Sequence, residues 1–372
     1  MKKVAILTIL DNLNLGTILQ AYATARMIDK YGYRPVFINY FRPGSTTYCQ
    51  VRNIIHDGRR SHLQRYTYAI LVLILVSFVK KRLRSFLTNQ FHFTRPYHSI
   101  DELRQAPPQA NLYLTGSDQV WNTHYNGGID SAFFLDFTNG PKVSYAASVG
   151  MTQFTTQDKN KIQRLLHSYN TLSVRESQTA EYFRQLGFSH TTHDLDPTLL
   201  LTAEQWKKAV NYHTHKRPKY LLVYSVEGPN NDFIFSQATI LAREKNLKLY
   251  AVTVTDAWRL QKYACDKIFA FSNVKQFISL IADATFIVAS SFHGTVFSII
   301  FNKEFITIAP ERFNIRMESL VKEFNLEHRI VTNNIIHSTD LIPIDYQYVN
   351  QKLTDSRITS ENHLRTALSF CR

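Results

Sequence analysis

The chain has few of the residues that build covalent or metal-centred sites. Its 372 residues include three cysteines, Cys49, Cys265 and Cys371, which lie far apart. An odd number at these spacings predicts neither a disulfide framework nor a metal cluster, so reduced cytosolic thiols are expected. The sequence also has no GxGxxG fingerprint, Walker loop, HExxH motif or serine-hydrolase elbow. It therefore supports no claim to a dinucleotide, nucleotide or zinc site, and no cofactor or metal is expected.

The chain also lacks an apolar run long enough to cross a membrane. The longest, residues 69–79 (AILVLILVSFV), is about half of the roughly 20 residues that a spanning helix needs. Basic side chains flank this run on both sides: Arg59, Arg60, Arg65, Lys80, Lys81, Arg82 and Arg84. The pattern favours a helix within 59–84 that lies on an anionic bilayer surface, and a buried helix with solvated ends is the alternative. The apolar run in residues 1–10 is too short for a signal peptide and predicts a first strand.

Acidic residues are scarce relative to basic ones. The chain has 43 Lys and Arg against 29 Asp and Glu, which gives a formal net charge of +14. Such an excess indicates an anionic partner, which is nucleic acid, anionic lipid or a phosphorylated small molecule. Because the sequence has no zinc-finger spacing, RNP motif or basic zipper, no nucleic-acid partner is expected.

The order of apolar patterns predicts an α/β protein with two Rossmann-like domains facing across a cleft. Short apolar runs that read as strands alternate with helical patterns in both halves of the chain. We predict an N-terminal domain at 1–205, a C-terminal domain at 206–345 and a helical tail at 346–372 that packs back on the first domain. Residues 41–110 are expected to be a basic and apolar helical insertion. Ligands of such proteins bind in the cleft between the domains.

The sharpest local signal is a strand that runs into a polar turn at residues 287–295 (IVASSFHGT). Ser290, Ser291 and Gly294 surround His293 there, and a helix is expected from Val296. Small polar residues before a helix form an anion site, because backbone N–H groups and the helix dipole both favour negative charge. The carboxyl end of a strand is also where open α/β sheets place ligands. We therefore predict that His293 is functional, and that Ser290, Ser291 and Gly294 bind substrate.

Three weaker signals follow other predicted strands. Ser173 and Arg175 end one strand, and the arginine either grips a carboxylate or phosphate or forms a surface pair with Glu176. Asp118 follows another strand and is either a general base or a helix cap. The loop at 11–16 (DNLNLG), with Asn14 and Gly16, follows the first strand and is a candidate ligand contact.

Six segments together resemble the polysaccharide pyruvyltransferase family. They are NLGTILQAYA (14–23), TGSDQVWN (115–122), VSYAAS (143–148), LSVRES (172–177), LDPTLLL (195–201) and SSFHGTVFSIIF (290–301). They run in the family's order and span nearly the whole chain, so the match is specific. The resemblance implies a two-domain fold of the GT-B type, with the acceptor on the N-terminal side and the donor on the C-terminal side.

The resemblance also implies phosphoenolpyruvate as donor and co-substrate, a sugar diol as acceptor and a cyclic pyruvate ketal as product. His293 matches the family's catalytic histidine, Arg175 its donor-binding arginine and Asp118 an acidic residue of its Gly-x-Asp segment. One position departs from the pattern, because some members carry Arg two residues before the histidine, where this chain has Ser291. The donor's charge is then expected to be met by nearby cations. These are Arg312, Arg316 and Lys303.

A mechanism follows from this chemistry. His293, as an imidazolium, protonates the methylene carbon of phosphoenolpyruvate, and a sugar hydroxyl assisted by Asp118 attacks C2. A polyprenyl-diphosphate-linked precursor of a capsule or exopolysaccharide as acceptor would place the enzyme in the cytoplasm, peripheral to the inner face of the membrane, in agreement with segment 59–84. Two alternatives stay open: a nucleotide-sugar glycosyltransferase of the same fold, and a non-catalytic binding protein for anionic glycans or nucleic acid.

Overall fold

The computed structural model of the chain describes residues 1–43, 62–226, 230–254, 260–309, 315–332 and 334–372. Two parallel sheets, each flanked by helices, dominate these residues. The predicted pair of Rossmann-like domains is confirmed.

The N-terminal domain is built on a five-stranded parallel sheet. Its strands are β1 (Lys3–Leu7), β2 (Arg34–Tyr40), β3 (His92–Tyr97), β4 (Leu112–Thr115) and β5 (Lys142–Ser144), in the order β3-β2-β1-β4-β5. Its helices are α1 (Leu15–Lys30), α2 (His62–Thr88), α3 (Ile100–Gln105), α4 (Thr156–Leu166) and α5 (Ser177–Gln185). The two-residue strands β6 (Ser173–Val174) and β7 (Thr192–His193) pair with each other. Isolated bridges from residues 143 and 147 continue the main sheet toward β6.

Residues 41–110 contain more than the predicted helical insertion. Strand β3 pairs with β2 and forms one edge of the sheet, with a register shift between Phe37 and Asn39. Its sequence, HFTRPY, is polar and contains Pro96, so it has no strand-like alternation of apolar residues. An edge strand tolerates proline because one of its two rows of backbone groups has no partner. The sequence prediction missed β3 for this reason.

The C-terminal domain has a six-stranded parallel sheet. Its strands are β8 (Tyr220–Tyr224), β9 (Lys248–Val252), β10 (Lys267–Phe269), β11 (Phe286–Ala289), β12 (Glu304–Ile308) and β13 (Ile330–Val331), in the order β10-β9-β8-β11-β12-β13. Its helices are α8 (Asn231–Glu244), α9 (Val274–Asp283), α10 (Phe292–Ile300) and α11 (Ile315–Glu323), where α6 and α7 are the linker helices described next. The central strands β8 and β11 are fully buried apolar runs, as parallel strands covered on both faces must be.

A short linker and the last helix join the domains. Helices α6 (Pro197–Leu200) and α7 (Ala203–Ala209) form the linker, and a capping box between Thr202 and Gln205 opens α7. The C-terminal helix α12 (Tyr346–Leu368) returns to the N-terminal domain, where Glu361 pairs with Lys30 at 2.7 Å and accepts a hydrogen bond from Tyr31.

Trp206 of the linker is packed between the domains. Its ring lies 5.5 Å from that of Tyr22 in the N-terminal domain and 5.1 Å from that of Phe297 in the C-terminal domain. The indole Nε1–H donates to the Thr198 carbonyl at 3.1 Å, and the side chain is fully buried. One residue therefore contributes to the cores of both halves and to their contact.

We expect Trp206→Ala to lower the free energy of unfolding by about 3–5 kcal/mol, because it removes the largest side chain from a filled interface. Urea denaturation followed by circular dichroism measures this loss. Trp206→Phe keeps most of the aromatic volume and is expected to cost clearly less. Equal effects of the two substitutions would contradict the packing role.

Candidate active site

A cavity of about 260 Å³ lies between the domains, at the carboxyl ends of both sheets. Its wall includes the predicted residues Asn14, Asp118, Ser290, Ser291, His293 and Arg316. Asn12, Gln119, Tyr125, Val226, Phe292 and Met317 complete it. The fold thus brings six predicted site residues from both domains around one space.

His293 enters this cavity from the first turn of helix α10. Strand β11 ends at Ala289, and Ser291 caps the helix by accepting a hydrogen bond from the Gly294 N–H at 3.0 Å. The helix therefore begins at Phe292, four residues before the predicted start at Val296. His293 is its second residue and is largely buried. Strand, cap and helix together fix the position of the imidazole.

The His293 ring packs against Gly16 of helix α1. A Cβ atom at Gly16 would lie 2.0 Å from His293 Nδ1, so only glycine fits there. Asn14 caps α1 by accepting a hydrogen bond from the Gly16 N–H at 2.7 Å. The loop before it is anchored by the ion pair of Asp11 with Arg42 at 2.7 Å. Gly16 thus contributes its lack of a side chain to the site.

Arg175 lies behind the cavity wall. Its guanidinium sits 4.2 Å from the centre of the Phe292 ring, and Nη1 pairs with Asp196 Oδ2 at 2.7 Å. Nε is 3.5 Å from Glu176 Oε1, so the predicted Arg–Glu pair exists but is buried rather than on the surface. The structure does not bring Arg175 into the cavity, and its donor-binding role stays a prediction.

The carboxylate of Asp196 joins Arg175 to the histidine. Asp196 Oδ2 is 3.7 Å from His293 Nε2, and that nitrogen is buried with no hydrogen-bond partner in the described part of the chain. Burial alone would raise the pKa of Asp196, but His293 and Arg175 hold that pKa well below its usual range. Burial likewise opposes the charge on Arg175, but Asp196, Glu176 and Asp118 raise its pKa.

Two other predicted site residues belong to the scaffold. The Ser173 hydroxyl donates to Asp194 Oδ2 at 2.6 Å and accepts from the Ala146 N–H at 2.9 Å, so it does not reach the cavity. A Cβ atom at Gly294 would lie 2.9 Å from that of Ala289 and 3.0 Å from the Ser291 hydroxyl oxygen. Gly294 therefore allows the tight strand-to-helix turn. Neither residue lines the cavity in this structure.

Asp118 lies in the cavity wall on a strained backbone. Its φ angle is +78°, and its Oδ1 accepts a hydrogen bond from the Gln119 N–H at 2.8 Å. A turn follows it rather than a helix, so the cap alternative is wrong. Left-handed backbone at a side chain in a cavity is typical of sites where position matters more than conformational ease.

The three cations that the sequence predicts around the donor differ in where they lie. Arg316, in the first turn of α11, lines the cavity. Lys303 instead donates to the Ala282 carbonyl at 2.6 Å beyond the far end of α10, so its predicted role is wrong. Arg312 lies outside the described residues.

Sequence reasoning missed Asp196, Gln119 and Tyr125, whereas Asn12 lies in the candidate loop 11–16. Asp196 lies in the segment LDPTLLL, where an Asp-Pro pair begins a helix. This local pattern indicates that Asp196 caps the helix, but it does not indicate the contact with His293, which is distant in sequence. Within the described ranges, no group of three or more His, Cys, Asp or Glu side chains could hold a metal ion.

Comparison with known proteins identifies the family. The model of the polysaccharide pyruvyl transferase family matches residues 14–312, which include every cavity-lining residue named above except Asn12, Arg316 and Met317. The chain belongs to this family. It is therefore a transferase of polysaccharide biosynthesis. A search of curated proteins finds no significant match.

Solved structures with the same fold are distant in sequence. A UDP-GlcNAc 2-epimerase of Methanocaldococcus jannaschii, with UDP-GlcNAc and UDP, has a TM-score of 0.51 and 13% identity over 100% of both chains. The S. aureus MnaA–UDP structure has a TM-score of 0.51 and 13% identity, over 95% of this chain and 88% of that one. Arabidopsis thaliana UGT89C1 with UDP-L-rhamnose has a TM-score of 0.52 and 8% identity, over 100% of this chain and 99% of that one. This pyruvyltransferase thus has the GT-B fold, and such distant similarity does not identify its donor.

We expect Gly16→Ala to destabilise the protein by about 1–3 kcal/mol, because the new methyl group overlaps the His293 ring. In a His293→Ala background the same change should cost little, since the ring is gone and alanine is the better helix former. A double-mutant cycle of urea unfolding measures this coupling. Additive effects of the two changes would show that the contact carries no energy.

Proposed function

We propose that this pyruvyltransferase takes its pyruvyl group from phosphoenolpyruvate and builds a cyclic ketal on two hydroxyls of a sugar, with release of phosphate. The observation that carries the proposal is the position of His293, which the two domains hold at the wall of a small cavity beside Asp118 and Arg316. An acid, a base and a cation around one space are what this chemistry needs.

The cavity favours a small anion. The capping residues of two helices, Asn14 of α1 and Ser291 of α10, both line it, so the positive ends of two helix dipoles are directed at the same space. Arg316 adds a full positive charge. The volume of about 260 Å³ lies below the roughly 300–1,000 Å³ of sites for drug-sized ligands. These features fit the carboxylate and phosphate of phosphoenolpyruvate.

His293 acts first, as general acid. Its imidazolium donates a proton to the methylene carbon of phosphoenolpyruvate, which becomes a methyl group and leaves C2 electrophilic. The contact with Gly16 on one side and the turn at Ser291 on the other prevent the ring from moving away from the donor. Such fixed geometry lowers the entropy cost of the proton transfer.

Asp118 assists the attack on C2. The first sugar hydroxyl adds to C2 and gives up its proton to Asp118, the carboxylate among the described residues that line the cavity. The C2–O bond to phosphate then breaks, and the second hydroxyl adds to close the ketal. Of the two hydroxyl protons, one replaces the proton that His293 gave to carbon and the other leaves with phosphate, so the sequence balances.

We expect His293→Ala to slow acceptor-dependent phosphate release from phosphoenolpyruvate by about 10²–10⁴-fold, the usual contribution of a general acid. Lipid-linked glycans extracted from membranes serve as acceptor, and His190→Ala, at an exposed position after α5, is the matched control. Near-normal release by His293→Ala would refute the assignment. Consumption of a nucleotide sugar in place of phosphoenolpyruvate would favour the glycosyltransferase alternative.

The acceptor half of the proposal rests on helix α2. No helix among the described residues is long and apolar enough to cross a membrane. The apolar segment of α2 is nevertheless exposed on most of its circumference. Eight large apolar side chains there are 39–65% exposed: Tyr66, Tyr68, Ile70, Leu71, Leu73, Ile74, Leu75 and Phe78. A helix that is apolar all round and unburied fits a lipid surface, so the buried alternative does not hold for this segment.

The orientation of α2 places this apolar segment on the cleft side of the molecule. Because β2 and β3 are parallel, the connecting helix runs opposite to them, toward the amino ends of the strands. Arg84 donates to Asn39 Oδ1 near the carboxyl end of β2, so residues 66–78 extend roughly 9–27 Å past that point at about 1.5 Å per residue. Docking of this segment would bring the cleft close to a lipid-linked glycan.

The cationic rim is smaller than the sequence predicted. Of the basic residues after the apolar run, Lys81 is exposed, whereas Arg82 donates to the Phe271 carbonyl and Arg84 lies over the rings of Phe41 and Phe93. Arg59 and Arg60 lie outside the described residues, and the side chain of Arg65 is not described. We propose an anionic bilayer surface as the partner, at the inner face of the cytoplasmic membrane, with a polyprenyl-diphosphate-linked capsule or exopolysaccharide precursor as acceptor.

We expect Leu71→Asp/Ile74→Asp to weaken sedimentation with phosphatidylglycerol-containing liposomes by about tenfold or more, because both side chains are well exposed and apolar. Ile342→Asp/Ile358→Asp adds the same charge at exposed positions outside α2 and should bind like wild type. Equal binding by both variants would contradict membrane docking. A wild-type dimer that only the first variant loses would assign the surface to a second copy of the chain instead.

A further inference from the structure

A charged cluster lies directly behind the catalytic histidine, outside the cavity. Asp196, Glu176 and Arg175 have side chains that are at most 2% exposed. Two carboxylates and one guanidinium leave one negative charge without compensation. An imidazolium at His293, 3.7 Å from Asp196, would balance it. Buried charges are stable only when they are paired, so a positive charge on the ring would complete the cluster.

We infer that Asp196, held in place by Arg175, is the positioning residue that orients the His293 ring and supplies its nearest negative charge. This inference rests on the proposed function for its catalytic consequence, but the contact itself exists without any substrate. Asp196 does not line the cavity that His293 and Asp118 share, so it acts through the histidine.

The Asp196 carboxylate is fixed by four hydrogen bonds besides its contact with His293. Oδ1 accepts from the Thr198 N–H at 3.0 Å and from the Thr198 hydroxyl at 2.6 Å. Oδ2 accepts from Arg175 Nη1 at 2.7 Å and from the Ser117 hydroxyl at 3.1 Å. A side chain held this firmly is a preorganised partner that does not turn away when the ring changes protonation state.

The distance from Asp196 to His293 is longer than a hydrogen bond but short for two charges. At 3.7 Å the contact is electrostatic in the resting structure, and catalytic hydrogen bonds often tighten when substrate binds. Nε2 is buried on the Asp196 side of the ring, and Nδ1 lies on the Gly16 side. The buried carboxylate therefore faces the Nε2 edge of the ring.

Other charged groups near His293 come from different elements. Asp118 and Arg316 share the cavity wall with it, and Arg175 reaches it through Asp196. On the α1 side, the cap residue Asn14 lines the cavity and Gly16 faces the ring, and neither carries a charge. Asp196 is the carboxylate within ion-pair distance in the described residues, so its removal should change the proton affinity of the ring most.

The test is Asp196→Asn, read first by NMR of the full chain labelled with ¹⁵N-histidine, without substrate. The His293 signal is assigned by its loss in His293→Gln. We expect its titration midpoint to fall by about one pH unit or more in Asp196→Asn, because the imidazolium loses its nearest anion. The alkaline limb of phosphate release against pH should shift downward by the same amount, with activity near neutrality about tenfold lower.

Two controls separate positioning from folding. Asp194→Asn changes the neighbouring buried carboxylate, which pairs with His363 at 2.8 Å, and should move the titration of His363 and not that of His293. Ser117→Ala removes one neutral hydrogen bond from Asp196 and should leave the His293 midpoint in place. Thermal unfolding verifies that each variant is folded. An unchanged His293 midpoint in folded Asp196→Asn overturns the inference. The expected NMR shift without any activity on phosphoenolpyruvate would instead overturn the proposed donor and leave the inference standing.

Discussion

The contact between Gly16 and His293 is the constraint on which the site depends. Helix α1 of the first domain and helix α10 of the second begin at the carboxyl edges of their sheets, and their first turns meet without room for a single methyl group between them. This approach closes the cleft to a small cavity and directs two helix N-termini at it. The packing of Trp206 between the domains and the return of α12 to Lys30 and Tyr31 hold the same arrangement from the opposite side. The position of His293 and the polar cavity beside it thus arise from domain contact.

Burial divides the polar residues of the site into two groups. Asp118, Ser290, Ser291 and Arg316 line the cavity, where solvent or a ligand can reach them. Arg175, Glu176 and Asp196 are enclosed and must satisfy one another, because an isolated charge in the interior is very costly. His293 lies at the boundary, with one edge toward each group. A histidine in this position lies between the fixed charges behind it and the cavity in front of it.

The fold followed from local patterns, and the partners in the site did not. Apolar runs such as those of β8 and β11 predict buried parallel strands, and the Thr202–Gln205 spacing predicts the start of α7, because these signals depend only on neighbouring residues. The sequence prediction missed strand β3 because an edge strand that contains Pro96 needs no alternation of apolar residues. Arg175 was expected to bind the donor, since sequence alone does not distinguish an arginine that meets a ligand from one that meets Asp196, 21 residues later in the chain. Position in sequence indicated which residues matter, and burial determined what each one contacts.

Helix α2 has one half that is anchored to the protein and an apolar segment that is exposed. Its C-terminal half is anchored to both domains, with Arg84 on Asn39 of the first and Arg82 on the Phe271 carbonyl of the second. Its apolar segment has no comparable cover in the described residues, although burying those side chains would be worth about 1.5–3 kcal/mol each. While the segment stays uncovered, the protein does not gain this free energy of burial, and it gains it only when another apolar surface covers the segment. Since the anchors fix the helix relative to the cleft, whatever covers the apolar segment is also held at a fixed position relative to the cavity.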